Sequence, residues 1–300
     1  MRACIYNFYH KMQNNKWFIG LIAWLQQHYI TIFVGDIVNF PRNLRNRSNP
    51  SRYLNESRSY FSENENRVNK VKRLLADDQS RMAYEAAIKF RTEARRIRKN
   101  EWSLRDQYFV EGIIELKNGE VFVDGGAYNG DTIDKLITYR KRYYKNIHIK
   151  RVVAFEPGSL NAGLLQKKYA KIKNVLIVKA GLSDKDGKAF FTSTGSSSHV
   201  IDDATKGVSI TLCAIDNVPE CTDTTFIKLD IEGAEWEALH GAEKTIQRNK
   251  PKLAICIYHS DEDMIRLVEY VHELVPEYKL YVRHHTRRKH ETVLYAVMQG

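Results

Sequence analysis

Between Val121 and Thr132 the chain reads VFVDGGAYNGDT: an apolar run stops at Asp124, and glycines follow at positions 125, 126 and 130. Glycine tolerates positive φ and lets another group approach the backbone closely. A helix that starts just after such a loop offers free N–H groups to a polar ligand. Gly125, Gly126, Ala127, Asn129, Gly130, Asp131 and Thr132 are therefore candidate binding positions. A nicotinamide fingerprint needs G-x-G-x-x-G. Aligned on Gly125 and Gly130, its middle glycine falls on Ala127, so the match fails. Asp124 would face a pyrophosphate badly and suits a ligand with a positive amine and no phosphate.

Other acids close later apolar runs. Glu156, followed by Pro157, ends VVAFEP, where a carboxylate can accept bonds from two ribose hydroxyls. Ser183 and Asp184 follow a third run, near where an adenine would lie. S-adenosylmethionine has the required amine, ribose and adenine. The plainer roles are a helix cap for Asp124 and a surface acid for Glu156. Farther on, Asp230 and Glu232 follow TFIKL, and Tyr258 and His259 follow KLAICI. With S-adenosylmethionine as the ligand, transfer of its methyl group is an in-line displacement, so placement supplies much of the rate. A protonated acceptor would also need a positioned base. His259 is the first candidate, since an imidazole titrates near neutrality; its plainer role is a structural bond to a backbone carbonyl. Asp230 could take the proton, hold the cofactor amine, bind a metal or cap the next helix, and Glu232 is the second carboxylate of that loop.

Asp230, Glu232 and His259 are chemically suited to a divalent metal, but no diagnostic spacing accompanies them, so a metal is the less favoured option. In RHHTRRKH, His284, His285 and His290 sit among Arg and Lys. Crowded positive charge discourages a cation there and leaves an anionic substrate group, a membrane surface or a solvated hairpin tip. STGSSSHV, residues 193–200, reads as a loop over the cofactor.

The elements that must hold these residues follow from the pattern. VFVDG, VVAFEP, VLIVKAG, TFIKLDIEG and KLAICIY are continuous apolar runs, the signature of parallel strands covered on both faces. Helical spacing falls between them, at about 131–144, 160–171, 235–249 and 261–274. Alternating strand and helix gives a doubly wound α/β sheet whose ligands bind at the carboxyl ends of the strands. YKLYVRHH and TVLYAVM, joined by TRRKHE, close the chain as an antiparallel edge pair. A dehydrogenase sheet does not end this way, and a class I methyltransferase (Rossmann-like) sheet does. Before it, residues 1–106 form a basic, mainly helical region, and residues 107–300 form the α/β domain. Within the first part, residues 41–68 are rich in Arg, Asn and Ser and read as a solvated linker, and residues 71–99 as one or two amphipathic helices with a basic tail. The stretch WFIGLIAWLQQHYITIFV is broken by Gln26, Gln27 and His28. It is too interrupted for a membrane span, and reads as buried helix and strand or a membrane-surface contact.

The 300 residues carry a net charge of +11, which suggests anionic partners such as acidic or lipid-linked glycans, membrane headgroups or nucleic acid. No nucleic-acid-binding motif accompanies the charge. Cys4, Cys213, Cys221 and Cys256 form no C-x-x-C pair and read as buried thiols in a reducing, cytoplasmic setting.

VFVDGGAYNGDT, AFEP, GLSD, STGSSSHVI, FIKLDIEGAEWEALHGAEKTI and PKLAICIYH occur in that order. Together they resemble the FkbM-type family of S-adenosylmethionine-dependent methyltransferases, from about residue 107 to the end. The resemblance implies O-methylation of hydroxyls on sugars or polyketide-derived products, often among enzymes of glycan biosynthesis. Tyr128 departs from the wider methyltransferase loop, which often has a third close glycine there. The competing readings are a nicotinamide-dependent sugar-modifying enzyme and a partner that keeps the fold without turnover.

Overall fold

The computed structural model describes residues 50–103, 106–194, 197–201 and 208–298; all of residues 1–49, with the apolar stretch at 17–34 and Cys4, fall outside them. The chain divides into two compact units, residues 1–53 and 54–300. The first lies almost wholly outside the described residues, and everything below concerns the second. In chain order the strands are β1 (Glu120–Gly125), β2 (Ile149–Phe155), β3 (Val175–Val178), β4 (Gly181–Leu182), β5 (Gly187–Thr194), β6 (Ser197–Ile201), β7 (Val208–Cys213), β8 (Phe226–Leu229), β9 (Lys252–Cys256), β10 (Lys279–His284) and β11 (Thr292–Val297). The helices are α1 (Pro50–Glu63), α2 (Glu65–Leu74), α3 (Asp78–Glu93), α4 (Asp131–Tyr143), α5 (Ser159–Tyr169), α6 (Glu235–His240), α7 (Glu243–Asn249) and α8 (Asp263–Leu274).

The apolar runs pair as the main sheet, in the order β10-β11-β9-β8-β1-β2-β3. β3, β2, β1, β8 and β9 are parallel, and β11 runs antiparallel to both of its neighbours. Adjacent side chains point to opposite faces: Phe122 and Val123, side by side in β1, enter different apolar cores. Val293 pairs with both Cys256 and Arg283. The turn between β10 and β11 therefore stands at the same sheet edge as Tyr258 and His259. This is the class I methyltransferase sheet with its antiparallel C-terminal pair.

Three differences from the sequence reading have physical causes. The Arg- and Asn-rich stretch is helical from Pro50 onward, because Leu54, Ser57 and Phe61 fall on one face. Ser57 and Phe61 are buried, and Phe61 joins the core alongside Val71, Leu75, Ala83 and Tyr84. Most helical stability comes from such tertiary packing rather than propensity. The compact unit consequently begins at Leu54, and α2 and α3 share the core of the sheet. The helix expected at 235–249 breaks into α6 and α7 at Gly241, where a side-chain Cβ would lie 1.9 Å from the Ser183 carbonyl oxygen. The segment between β3 and β8 forms a second sheet, β4-β7-β5-β6. Thr194 and Ser197, within the serine-rich stretch, are paired backbone to backbone, so that stretch is a hairpin rather than a plain loop; Gly195 and Ser196 lie outside the described residues.

Cys213, Cys221 and Cys256 are free thiols, and the latter two are buried. Among the described residues, no helix is long and apolar enough to cross a membrane.

Candidate active site

The glycine loop leaves the end of β1 between β2 and β8. Gly126 has φ +79°, and a Cβ there would lie 2.0 Å from the Asp230 carbonyl oxygen. The group that comes too close for a side chain is thus the chain's own backbone after β8. Gly130 has φ +82° just ahead of α4, and its carbonyl accepts the Tyr169 hydroxyl at 2.7 Å. Ala127 and Thr132 are buried under the loop, and Asn129 and Asp131 are exposed. The Asn129 side chain accepts the Asp131 N–H at 3.0 Å. Tyr128 is 52% exposed, with its ring outside the loop.

Glu156 clamps this loop from the end of β2. One of its oxygens accepts the Tyr128 N–H at 3.0 Å and the other the Gly158 N–H at 2.8 Å. Burial pushes its carboxyl up, against these backbone bonds. Pro157 is half-buried beside it, Ser183 is half-buried after β4 and Asp184 is exposed.

Asp124 is fully buried, and its charge is balanced from within the chain. The Lys228 ammonium lies 3.0 Å from Asp124 Oδ1 while donating to the carbonyls of Gly125 and Gly126 at 2.9 and 3.0 Å. The ammonium's hydrogen bonds go to those carbonyls, and both carboxylate oxygens lack a well-aligned donor. Burial opposes the Lys228 charge, but Asp124 and Asp230 outweigh it and hold its pKa above the usual lysine range. Burial raises the Asp124 carboxyl and Lys228 counters it.

Across the sheet, Asp230, Glu232 and His259 lie close together. Two phenols hold Asp230: Tyr108 donates to Oδ2 at 2.7 Å and Tyr258 to Oδ1 at 3.1 Å. Burial opposes its charge, but Lys228, His259 and these phenols keep its carboxyl below the ordinary value. His259 Nε2 lies 3.6 Å from Asp230 and 4.0 Å from Glu232, and Nδ1 lies 3.2 Å from Glu235. These contacts are electrostatic: neither ring nitrogen has an aligned hydrogen bond. Glu232 has φ +59°, a left-handed conformation that costs a non-glycine residue of order 1–3 kcal/mol.

The electrostatics revise the role expected of His259. Burial lowers an imidazole's pKa, but Glu235, Asp230 and Glu232 outweigh it and raise His259 to about 9. At neutral pH it is an imidazolium, which has no lone pair to take a proton. The Glu232 carboxyl is raised as well, which for an acid favours the neutral form. Its side chain is 42% exposed, yet partial desolvation raises it first, His259 counters, and Asp230 and Glu235 add to the rise, giving about 7. A carboxylate poised near neutrality is what general-base work needs.

Lys228, Glu235 and Tyr108 were missed in the sequence. Lys228 had a signal, a lone charge in the apolar run FIKL between two acids. Glu235 sits in the first turn of α6 and reaches back to accept the N–H groups of Ile231 at 2.7 Å and Gly233 at 3.1 Å, which folds the loop that carries Glu232. Tyr108 had no signal, since its partner is 122 residues away. Asp230, Glu235 and His259 also present ligand atoms within 4.8 Å of one another, but Glu235 already serves two backbone donors. Of the C-terminal histidines, His284 bonds Thr292 and the Arg288 carbonyl, and His285 bonds the Ser103 carbonyl and Tyr295. Both are structural. The His290 ring meets Tyr258 edge-on at 5.7 Å.

The methyltransferase FkbM domain model matches residues 124–287, more than half of the chain. The crystal structure of methyltransferase FkbM from Methylobacillus flagellatus KT is similar over 80% of this chain, at 27% identity and a TM-score of 0.67. This chain spans 60% of that protein's length. An rRNA methylase from Streptococcus thermophilus aligns over 61% of this chain and 90% of its own, at 17% identity and a TM-score of 0.38. Aeropyrum pernix fibrillarin with natively bound S-adenosyl-L-methionine aligns over 62% and 71%, at 14% identity and a TM-score of 0.38. Both scores are too low to bear on this chain's function. A search among curated proteins gives no significant match. With the sheet order, the loop at 124–132 and the match over 124–287 in agreement, the chain belongs to the FkbM methyltransferase family.

Proposed function

We propose that the chain is an S-adenosylmethionine-dependent O-methyltransferase acting on a hydroxyl of a sugar, glycan or related natural product. The carrying observation is a pair of polar centres at one sheet edge: the Glu156-clamped glycine loop, and the Asp230–Glu232–His259 group beside it. Lys228 links the two, touching Gly125, Gly126 and Asp124 on the side of β1.

The donor set fits the cofactor. A carboxylate has about four lone-pair sites, so the two backbone bonds and the Asn161 side-chain bond on Glu156 leave acceptor capacity for a ribose hydroxyl. Asn129, Ser183 and Asp184 would line the remainder. When bound, S-adenosylmethionine supplies a sulfonium-activated methyl group. Asp230 and Glu232 orient the acceptor hydroxyl, and Glu232 takes its proton. His259 stays protonated and balances the two carboxylates. A surface rich in fixed hydrogen-bond acceptors suits a polyhydroxylated acceptor.

Titration calorimetry tests the cofactor, with S-adenosylhomocysteine and NAD in parallel. Saturable binding of S-adenosylhomocysteine alone is expected. Binding of NAD with no response to S-adenosylhomocysteine would overturn the reading. Labelled S-adenosylmethionine with a panel of sugars and lipid-linked sugars then tests the acceptor class.

A further inference from the structure

Beside the acceptor end of the sheet lies a cavity of about 640 Å³ lined by Arg96, Lys99, Arg287, Arg288 and the aromatic rings of Trp102 and Phe90. Two separate segments build it: the last turn of α3 with the chain just after it, and the turn between β10 and β11. The backbone ties them together, since Ser103 donates its N–H to the His284 carbonyl at 2.9 Å. The Arg287 guanidinium lies over the Trp102 ring at 4.9 Å. The indole N–H of Trp102 is buried with no acceptor among the described residues.

Among the described residues, no carboxylate lines this cavity. Two nearby acids are engaged elsewhere, Glu101 with Arg95 at 3.1 Å and Asp261 with Arg91 at 2.7 Å. The excess positive charge also acts on its neighbours. His290 is exposed, yet it is held below its ordinary value, by desolvation first and then by Lys289, Arg91, His259 and Arg288. Burial and Arg91 likewise lower Lys289. The same turn that supplies Arg287 and Arg288 supplies His290, whose ring touches Tyr258, and Tyr258 donates to Asp230. The turn that lines the basic cavity thus also contacts Tyr258, a hydrogen-bond partner of Asp230.

We infer that this cavity is an anion subsite that receives a phosphate group of the acceptor, so that the substrate class is a phosphorylated sugar rather than a neutral one. Guanidinium groups match phosphate oxygens in bidentate fashion, and an indole N–H adds a neutral donor. The phosphate would anchor the acceptor while a sugar hydroxyl reaches Glu232. A phosphomonoester and the diphosphate of a lipid-linked sugar present the same chemistry to these side chains. This inference rests on the methyltransferase reading of the neighbouring site.

The test is calorimetry on the full chain with inorganic pyrophosphate, with S-adenosylhomocysteine titrated separately. Saturable pyrophosphate binding is expected, weakened at least tenfold in Arg287→Gln/Arg288→Gln and in Lys99→Gln, with S-adenosylhomocysteine affinity within twofold of wild type. These side chains are exposed, so the variants should fold, and a melt verifies it. Labelled methyl transfer to a sugar phosphate, a lipid-linked sugar diphosphate and the matching neutral sugar forms the second arm. Preference for either phosphorylated acceptor supports the inference and says which source the phosphate has. S-adenosylhomocysteine binding without pyrophosphate binding overturns the subsite alone, as does faster transfer to the neutral sugar. Failure to bind S-adenosylhomocysteine overturns the methyltransferase reading instead. Sedimentation with phosphatidylglycerol vesicles that pyrophosphate does not compete would reassign the charge to a membrane surface and also overturn the inference.

Discussion

The charge on His259 decides which group can take the acceptor's proton, and replacing Glu235 with glutamine tests it. Glu235 Oε1 lies 3.2 Å from His259 Nδ1 and is the strongest of the carboxylates that raise the histidine to about 9. Relative to an ordinary value of about 6.5, that rise corresponds to about 3 kcal/mol favouring the imidazolium. The folded pKa exceeds the unfolded one, so the stabilisation is full below about pH 6.5 and is lost as pH rises through about 9. Between pH 7 and 9 the wild type should lose about 2 kcal/mol from this group, or about 4–8 °C in Tm for a unit of this size. Glu235→Gln should flatten that decline and lower the His259 pKa by at least about one pH unit, equivalent to about 1.4 kcal/mol. Imidazole ¹H–¹⁵N NMR titration reads the pKa directly, and scanning calorimetry across the same pH range reads the stability. A wild-type His259 that titrates at or below 6.5 would refute the reasoning and return the base role to the histidine. An unchanged pKa in Glu235→Gln would refute the attribution to that contact.

Removing the carboxylate in Glu156→Ala should weaken S-adenosylhomocysteine binding by about 1.5–3 kcal/mol, the range for hydrogen bonds to charged groups, as read by calorimetry. Gly126→Ala should lower Tm and cofactor affinity together, because its Cβ meets the Asp230 carbonyl oxygen at 2.0 Å; a fully stable, fully binding variant would contradict the close approach. Glu232→Gln should reduce kcat by about 10²–10⁴-fold, the usual contribution of a positioned base, and remove a rising limb near pH 7, while S-adenosylhomocysteine affinity stays within a few fold. Methyl transfer should survive exhaustive EDTA treatment, since Glu235 is committed to backbone donors; complete loss with rescue by magnesium or manganese would make Asp230, Glu235 and His259 a metal site.

The parallel strands were legible because each is a short apolar run ending in a polar residue, and the antiparallel close because two such runs sit a turn apart. The cluster of Asp230, Glu232 and His259 was legible for the same reason, as strand ends converge on one edge. Its charge state was not, because it depends on Glu235, which looks in sequence like an ordinary surface acid of a helix start. Tyr108 was invisible because its one informative contact is made across the sheet. The second sheet went unread because its strands alternate weakly and its best hairpin signal is a serine-rich stretch. Helix α1 was hidden by composition: only Leu54, Ser57 and Phe61 mark its inward face, and Arg and Asn fill the rest.

The position of α1 to α3 has a consequence for how the chain is made. Ser57 hydrogen-bonds Asp261, 204 residues later, and Arg91 reaches Asp261 and the Tyr258 carbonyl, 170 and 167 residues later. Leu75 bridges to Leu280. Strand β11, the last, lies between β9 and β10 rather than at the rim. The helices therefore leave the ribosome before the residues they pack against, and the sheet cannot close until residues 292–297 arrive. Contacts of such long sequence separation slow folding. During synthesis the apolar faces of α2 and α3 have no native cover, which is the condition under which nascent chains associate wrongly or recruit chaperones.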